Sequence, residues 1–421
     1  MNGLRVRAVR LGKYFLCAIA IVAFTVPAAH AQKPLKIGFS MALTGPLAQA
    51  GKGALLAMQI WAKDVNDGGG LLGRPVELVY YDDQTKGANV PLIYAKLLDI
   101  DKVDFIVSGY GTNITAPAMP LVIDREMVFI SLFATAVNQH FNYPYYFQIM
   151  PAGPNPVVDW SAGFFEVAAR QNPKPKTVAL LAADAEFAQN AVDGARENAL
   201  KHGFEIVYDQ SYQMGIPDFT PIVRAIKARK PDIVYVMSYP PGSVGFVRAA
   251  KEVRLEPKII GGSMVGLQYT SIQMNLGPTL NGIFNYWFWA PEPTLNFPGI
   301  EAFLKKYQAE APKQNLDPLG YYLPPFAYAY LQVLQQAIEA TKSTDQKTVG
   351  EYIRQAEFET VVGKVKFGPN GEWARSRMLF VQLQGIESHE MVEFTKPGKM
   401  RVIYPEKFRS GELIYPFPGW Q

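Results

Sequence analysis

The chain has 421 residues, is 49% hydrophobic and 13% aromatic, and carries a formal charge of +4 with one cysteine. That composition excludes a disulfide-stapled scaffold, and the length suggests two domains or three. A chain of this size can bury a large core without covalent staples.

The first 31 residues read as a secretory signal peptide cleaved after Ala31. Arg5, Arg7, Arg10 and Lys13 make a basic start, and an apolar run follows from 14 to 26. Pro27 to Ala31 then places small residues where a signal peptidase reads them. The run of about a dozen residues is too short for a permanent membrane span. Cys17 lies inside it, a poor position for a lipoprotein signal. Cleavage removes four cations and no acid, which leaves a formal charge of zero. The basic balance therefore belongs to export, and no nucleic-acid partner is expected. The only cysteine leaves too, which excludes disulfides, iron–sulfur clusters and thiolate chemistry. The expected product is a soluble periplasmic protein.

The mature chain alternates β-rich runs with amphipathic helical stretches. Strands are predicted at 36–41, 76–81, 104–108 and 127–131, with helices at 50–67, 90–99 and ending near 126. The order restarts after 148–154. Strands follow at 177–181, 205–208, 232–237 and 258–262, with helices at 189–202, 219–229 and 244–253 between them. Such alternation implies parallel sheets covered by helices on both faces. A strand at 282–289, helices at 299–310, 325–341 and 348–356, and a β-rich tail complete the chain. In that tail, 367–372 reads as a turn joining strands at 363–367 and 378–383.

Catalytic patterns are missing. Gly68-Gly69-Gly70-Leu71-Leu72-Gly73 fits a dinucleotide fingerprint in letters only, because it follows a helix and precedes a strand. It reads better as a glycine-rich helix stop. Gly51-Lys52 lacks the spacing of a phosphate loop, and no Gly-x-Ser-x-Gly elbow occurs. His140, His202 and His389 are far apart, without metal-ligand spacing. Asp82-Asp83, at a strand end before Gln84-Thr85, reads as a capping and turn element. No cofactor, metal or enzymatic activity is expected.

Ligands of open α/β sheets meet the carboxyl ends of the strands. In the first unit those ends carry Thr44 in 42–46, Tyr110, Thr112 and Asn113 in 108–113, and Phe133 and Thr135 in 131–135. Hydroxyls beside free backbone N–H groups can hold a carboxylate. In the second unit the ends carry Phe187, Tyr239 and Ser263. Helix capping would also place hydroxyls there, and core packing would place rings there.

The order of motifs resembles the leucine/isoleucine/valine-binding type of ABC-importer substrate-binding proteins. The likeness runs through Lys36-Ile37-Gly38-Phe39-Ser40, Leu43-Thr44-Gly45-Pro46 and Asn66-Asp67-Gly68-Gly69-Gly70-Leu71-Leu72-Gly73-Arg74-Pro75. It continues through Tyr81-Asp82-Asp83, Thr115-Ala116-Pro117-Ala118, Ile130-Ser131, Ala134-Thr135, Gly282 and Val362-Gly363-Lys364-Val365-Lys366-Phe367. It implies two Rossmann-like parallel-sheet lobes joined by three hinge crossings, closing on a solute handed to an inner-membrane permease. It further implies that Thr135 and the Thr112/Asn113 region hold the ligand carboxylate. Phe187 matches a position often held by Tyr, and Tyr239 an aromatic that closes the pocket. The amino-acid binders hold the ligand ammonium with a Glu in Gly-Pro-Glu-Gly, whereas this chain reads Gly261-Gly262-Ser263-Met264. A buried ammonium without an anionic partner is costly, so a non-amine ligand follows unless Asp184 or Glu186 turns inward.

These readings give a monomeric periplasmic solute-binding protein of an ABC importer. The expected ligand is a small organic acid, aromatic or otherwise lacking an amine. A branched-chain amino acid or an amide is the alternative ligand, and a ligand sensor for a membrane receptor the alternative role. An exported hydrolase on the same fold is disfavoured. The expected lobes are 32–150 plus 288–358 and 151–287 plus 359–421, with crossings at 147–153, 286–291 and 358–363.

Overall fold

Two separate sheets divide the strands of the computed structural model, which describes Gly3 and residues 32–420. The signal-peptide reading therefore falls, apart from Gly3, outside the described residues. The first sheet has five parallel strands in the order β2-β1-β3-β4-β5. They are β1 (Leu35–Met41), β2 (Val76–Asp82), β3 (Phe105–Tyr110), β4 (Phe129–Leu132) and β5 (Tyr146–Gln148). β3 and β4 are buried along their whole length, as interior strands covered on both faces must be. β2 is half-exposed and takes the edge.

The second sheet has seven strands. β6 (Thr177–Ala183), β7 (Glu205–Tyr212), β8 (Ile233–Ser238), β9 (Ile259–Met264) and β10 (Phe284–Trp287) run parallel in the order β10-β9-β8-β6-β7. A short antiparallel hairpin, β11 (Phe358–Thr360) with β12 (Gly363–Val365), stands apart. β13 (Leu379–Leu383) and β14 (Met400–Tyr404) then extend the second sheet antiparallel beyond β10. This is the α/β architecture with two parallel-sheet lobes that the resemblance implies.

Two expectations for the tail are corrected. The turn near 367–372 exists, with Gly368 N–H donating to the Glu372 carbonyl at 2.7 Å. It does not join two paired strands: β12 pairs back on β11, and β13 pairs with β10 and β14. The third crossing also lies beyond 358–363. Val361 N–H donates to Gln332 Oε1 and Gln336 Nε2 to the Glu359 carbonyl, both at 2.8 Å, so the hairpin rests on the helix Pro324–Thr341. That helix belongs to the first sheet's side, where its Gln335 accepts from Trp61 Nε1 at 3.0 Å. Phe367 then packs on Phe147 of β5 with ring centroids 5.2 Å apart. The chain passes to the second sheet only between Trp373 and Leu379.

The first and third crossings are bonded to each other. Gln148 N–H donates to the Gly371 carbonyl at 2.8 Å, and Trp373 Nε1 to the Ile149 carbonyl at 2.9 Å. Arg377 N–H donates to the Pro151 carbonyl at 2.9 Å, and Asn370 Nδ2 to the Pro154 carbonyl at 2.8 Å. The second crossing, after β10, carries Phe288 and Trp289, both buried.

Candidate functional site

A cavity lies where strand ends of both sheets meet, with about 60 Å³ open to the centres of water-sized molecules. From the first sheet, β3 delivers Tyr110, and Gly111 at φ +98° turns the chain into the short helix Thr112–Thr115. A residue with a Cβ is disfavoured at that φ. The first turn of this helix leaves the N–H groups of Thr112 and Asn113 without intrahelical acceptors. After β4, Phe133 sits in the left-handed region at φ +57°. Packing holds it there: its ring centroid is 4.5 Å from Phe288, 5.1 Å from Phe326 and 5.7 Å from Tyr322.

From the second sheet's side, the helix Pro156–Ala169 supplies Trp160. Pro at its first position starts the helix, and Trp160, Gly163, Phe164, Val167 and Ala168 repeat at helical spacing on its buried face. The indole stands perpendicular to Phe187 with centroids 5.2 Å apart, and lies tilted 4.9 Å from Tyr286. Phe187 in turn contacts Tyr239 at 6.4 Å.

Of the residues expected at the site, Tyr110, Thr112, Asn113, Phe133, Phe187 and Tyr239 line the cavity. Thr135 stands behind it. Its N–H donates to Thr112 Oγ1 at 3.1 Å, and its own hydroxyl is buried without a partner. Two expected residues are elsewhere. Thr44 is exposed, with its hydroxyl donating to Asp82 Oδ2 at 2.6 Å and its N–H to Asp82 Oδ1 at 3.1 Å. Asp82 thus organises the turn after β1, and Asp83 Oδ1 likewise accepts from Thr85 N–H at 2.8 Å. Ser263 is fully buried beneath Trp160. Its Oγ accepts from Trp160 Nε1 at 2.8 Å and pairs with the Tyr235 hydroxyl at 2.5 Å. It positions the indole and does not face the cavity. Asp184 and Glu186 are exposed and do not line the cavity.

Sequence reading missed Trp160, Tyr322, Met150, Leu47 and Thr85. The helical spacing after Pro156 was available as a signal for Trp160. Tyr322 follows Gly320-Tyr321 in an irregular stretch, and nothing local marks it as inward. Its hydroxyl lies 3.0 Å from that of Tyr110.

Every residue lining this cavity is uncharged. Burial pushes the Tyr110 phenol up to about 12 and raises Tyr239 and Tyr322 further, so these hydroxyls stay neutral donors and acceptors. The walls offer aromatic faces, hydroxyls and backbone N–H groups. That set suits a flat, weakly polar body with an acceptor group. Among the described residues, no group of three or more His, Cys, Asp or Glu is placed to hold a metal ion, and no helix is long and apolar enough to cross a membrane.

Residues 34–388 match the family model described as periplasmic binding protein. A leucine-, isoleucine-, valine-, threonine- and alanine-binding protein of Pseudomonas aeruginosa is 27% identical over 368 residues, covering 86% of this chain and 93% of its own. Among solved structures, a putative branched-chain amino acid ABC transporter protein of Silicibacter pomeroyi aligns with a TM-score of 0.75 at 19% identity. The alignment covers 91% of this chain and 99% of that one. An ABC-transporter solute-binding protein of R. palustris, in complex with 4-hydroxybenzoate, aligns with a TM-score of 0.71 at 19% identity, covering 88% and 95%. The chain belongs to the periplasmic binding protein family.

Proposed function

We propose that this protein is exported by cleavage after Ala31, captures a small aromatic carboxylate lacking an amine between its lobes, and delivers it to an inner-membrane permease. The observation that carries the ligand class is the neutral, ring-walled cavity: Phe133, Trp160, Phe187, Tyr110, Tyr239 and Tyr322 surround it, and no charged side chain lines it. A buried aromatic ring gains area burial and about 0.5–1.5 kcal/mol more for each well-oriented ring pair. The carboxylate is assigned to the Thr112 hydroxyl and the N–H groups of Thr112 and Asn113, which line the cavity, with the unpartnered hydroxyl of Thr135 close behind them. An ammonium would enter this cavity with no anionic partner. The R. palustris protein supports the reading, as a similar fold that takes an aromatic acid. We assign the lobes as 33–148 plus 288–373 and 156–287 plus 379–420, with the protein acting as a monomer.

A branched-chain amino acid is the second reading, favoured by the name of the P. aeruginosa relative. A thermal-shift screen across aromatic acids, amino acids, dicarboxylates and amides, followed by calorimetry, separates the two. The first reading expects benzoate-like acids to bind tightly and leucine and valine weakly. Tight leucine or valine binding with no response to benzoate-like acids overturns it.

A further inference from the structure

We propose that the phenols of Tyr110, Tyr322 and Tyr286 form a second polar subsite, which takes an oxygen substituent on the ligand ring and selects a ring-hydroxylated aromatic carboxylate. This rests on the reading that an aromatic carboxylate occupies the cavity. Tyr110 closes β3, Tyr286 lies in β10, and Tyr322 precedes the helix Pro324–Thr341, so three distant segments bring their phenols together. Tyr110 and Tyr322 both line the cavity and share a hydrogen bond at 3.0 Å. Tyr286 is fully buried, and its hydroxyl has no hydrogen-bond partner. Phe288 fixes the group, with its centroid 5.9 Å from Tyr322 and 5.4 Å from Tyr286. The raised values of Tyr286 and Tyr322 owe first to burial and next to the nearby Tyr110 hydroxyl.

Donor counting sets the chemistry. Each phenol has one proton to donate. The Tyr110–Tyr322 bond uses one of three, and no second bond among these phenols is short enough to hold the other two. Buried hydroxyls are normally satisfied, and an unmet one is costly. A donor-only group such as an ammonium cannot accept those protons. A second carboxylate could, but it would be buried with no cation lining the cavity. A neutral hydroxyl both accepts and donates, and so completes the set.

The test measures benzoate, 3-hydroxybenzoate, 4-hydroxybenzoate and terephthalate by calorimetry on the mature protein, on Tyr110→Phe and Tyr286→Phe, and on the double variant Tyr110→Phe/Tyr322→Phe. One hydroxybenzoate should bind the parent about tenfold tighter than benzoate. Each single variant should remove most of that preference, read as the ratio of hydroxybenzoate to benzoate affinity within the same variant, since the ring wall is kept. Equal binding of benzoate and both hydroxybenzoates by the parent overturns the subsite. Equal weakening of benzoate and hydroxybenzoate in the Phe variants also overturns it, because the phenols would then serve the carboxylate or the wall. Tighter terephthalate binding overturns the neutral-substituent assignment. If no aromatic acid binds the parent at all, the underlying ligand class fails, and that is seen before any variant is made.

Discussion

The two walls of the cavity are built differently. The first sheet contributes strand-end loops: a glycine at positive φ, a strained Phe133, and Thr112 and Asn113 at a short helix start. The second sheet's side contributes a helix side chain, Trp160, pinned from behind by Ser263 and Tyr235. One wall thus offers the hydrogen-bonding groups together with the rings of Tyr110 and Phe133, and the other a fixed aromatic face. The acid and the ring of a ligand would be recognised by different halves, so neither half alone should bind well.

The largest expected effect is on the aromatic face. Trp160→Ala should weaken binding of the best aromatic acid by about 2 kcal/mol or more, as truncating a buried aromatic anchor at a binding surface typically does. Calorimetry checks this, and Trp160→Phe, which keeps a ring, should recover much of the affinity. Equal affinity in Trp160→Ala and the parent would break the division of labour between the walls.

Thr135→Val tests the polar wall. It should weaken binding by about 1–3 kcal/mol, because a ligand oxygen is left unpaired. Its unpartnered hydroxyl implies that thermal stability without ligand stays level or rises. A melting curve and a titration on the same sample read both numbers. Lost stability with unchanged affinity would move Thr135 out of the site.

Ser263→Ala sharpens the comparison from behind. It strands the Trp160 indole N–H, with an expected stability cost of about 1–2 kcal/mol and a smaller loss of affinity than Trp160→Ala. Tryptophan fluorescence should report the loosened indole. If affinity falls as far as in Trp160→Ala while stability holds, Ser263 touches the ligand after all.

The smallest effect concerns a titrating support of the first wall. Burial pushes the Asp83 carboxyl up to about 6, against the opposing bond from Thr85 N–H, and Thr85 lines the cavity. A raised folded value means that folding favours the protonated form. This contribution is therefore full below about pH 4 and fades as pH rises through about 6. Asp83→Asn stays neutral, so it should be about 1 kcal/mol more stable than the parent at pH 7.5 and level with it at pH 4. Melting curves that stay parallel across that range would show that Asp83 does not titrate there.

How much of this was readable follows the same division. The strand-end residues Tyr110, Thr112, Asn113 and Phe133 line the cavity, where topology alone places ligands at carboxyl ends of parallel strands. Phe187 and Tyr239 followed from the same rule in the second sheet. Thr44 obeys that rule too, but Asp82, 38 residues on, captures it into a turn, and no local pattern announces a partner so distant. Ser263 lies on a strand, where one residue of parity decides which face a side chain meets. Its face is covered by the helix Pro156–Ala169, a fact that belongs to tertiary packing. Trp160 and Tyr322 point inward only because the crossings bring their segments to the cavity. The third crossing was misplaced because the hairpin at 358–365 looks like passage between lobes and is a side packing on a helix.

The bonded pair of crossings has a mechanical consequence. Trp373 to Ile149, Arg377 to Pro151, Asn370 to Pro154 and Gly371 to Gln148 stitch two chain segments into one ribbon. A stitched ribbon bends readily about its width but resists twist and sideways slip, since either would tear those four bonds. Opening would then follow essentially one coordinate. A motion with one coordinate has little orientational freedom to surrender when the ligand arrives, so more of the contact energy appears as affinity.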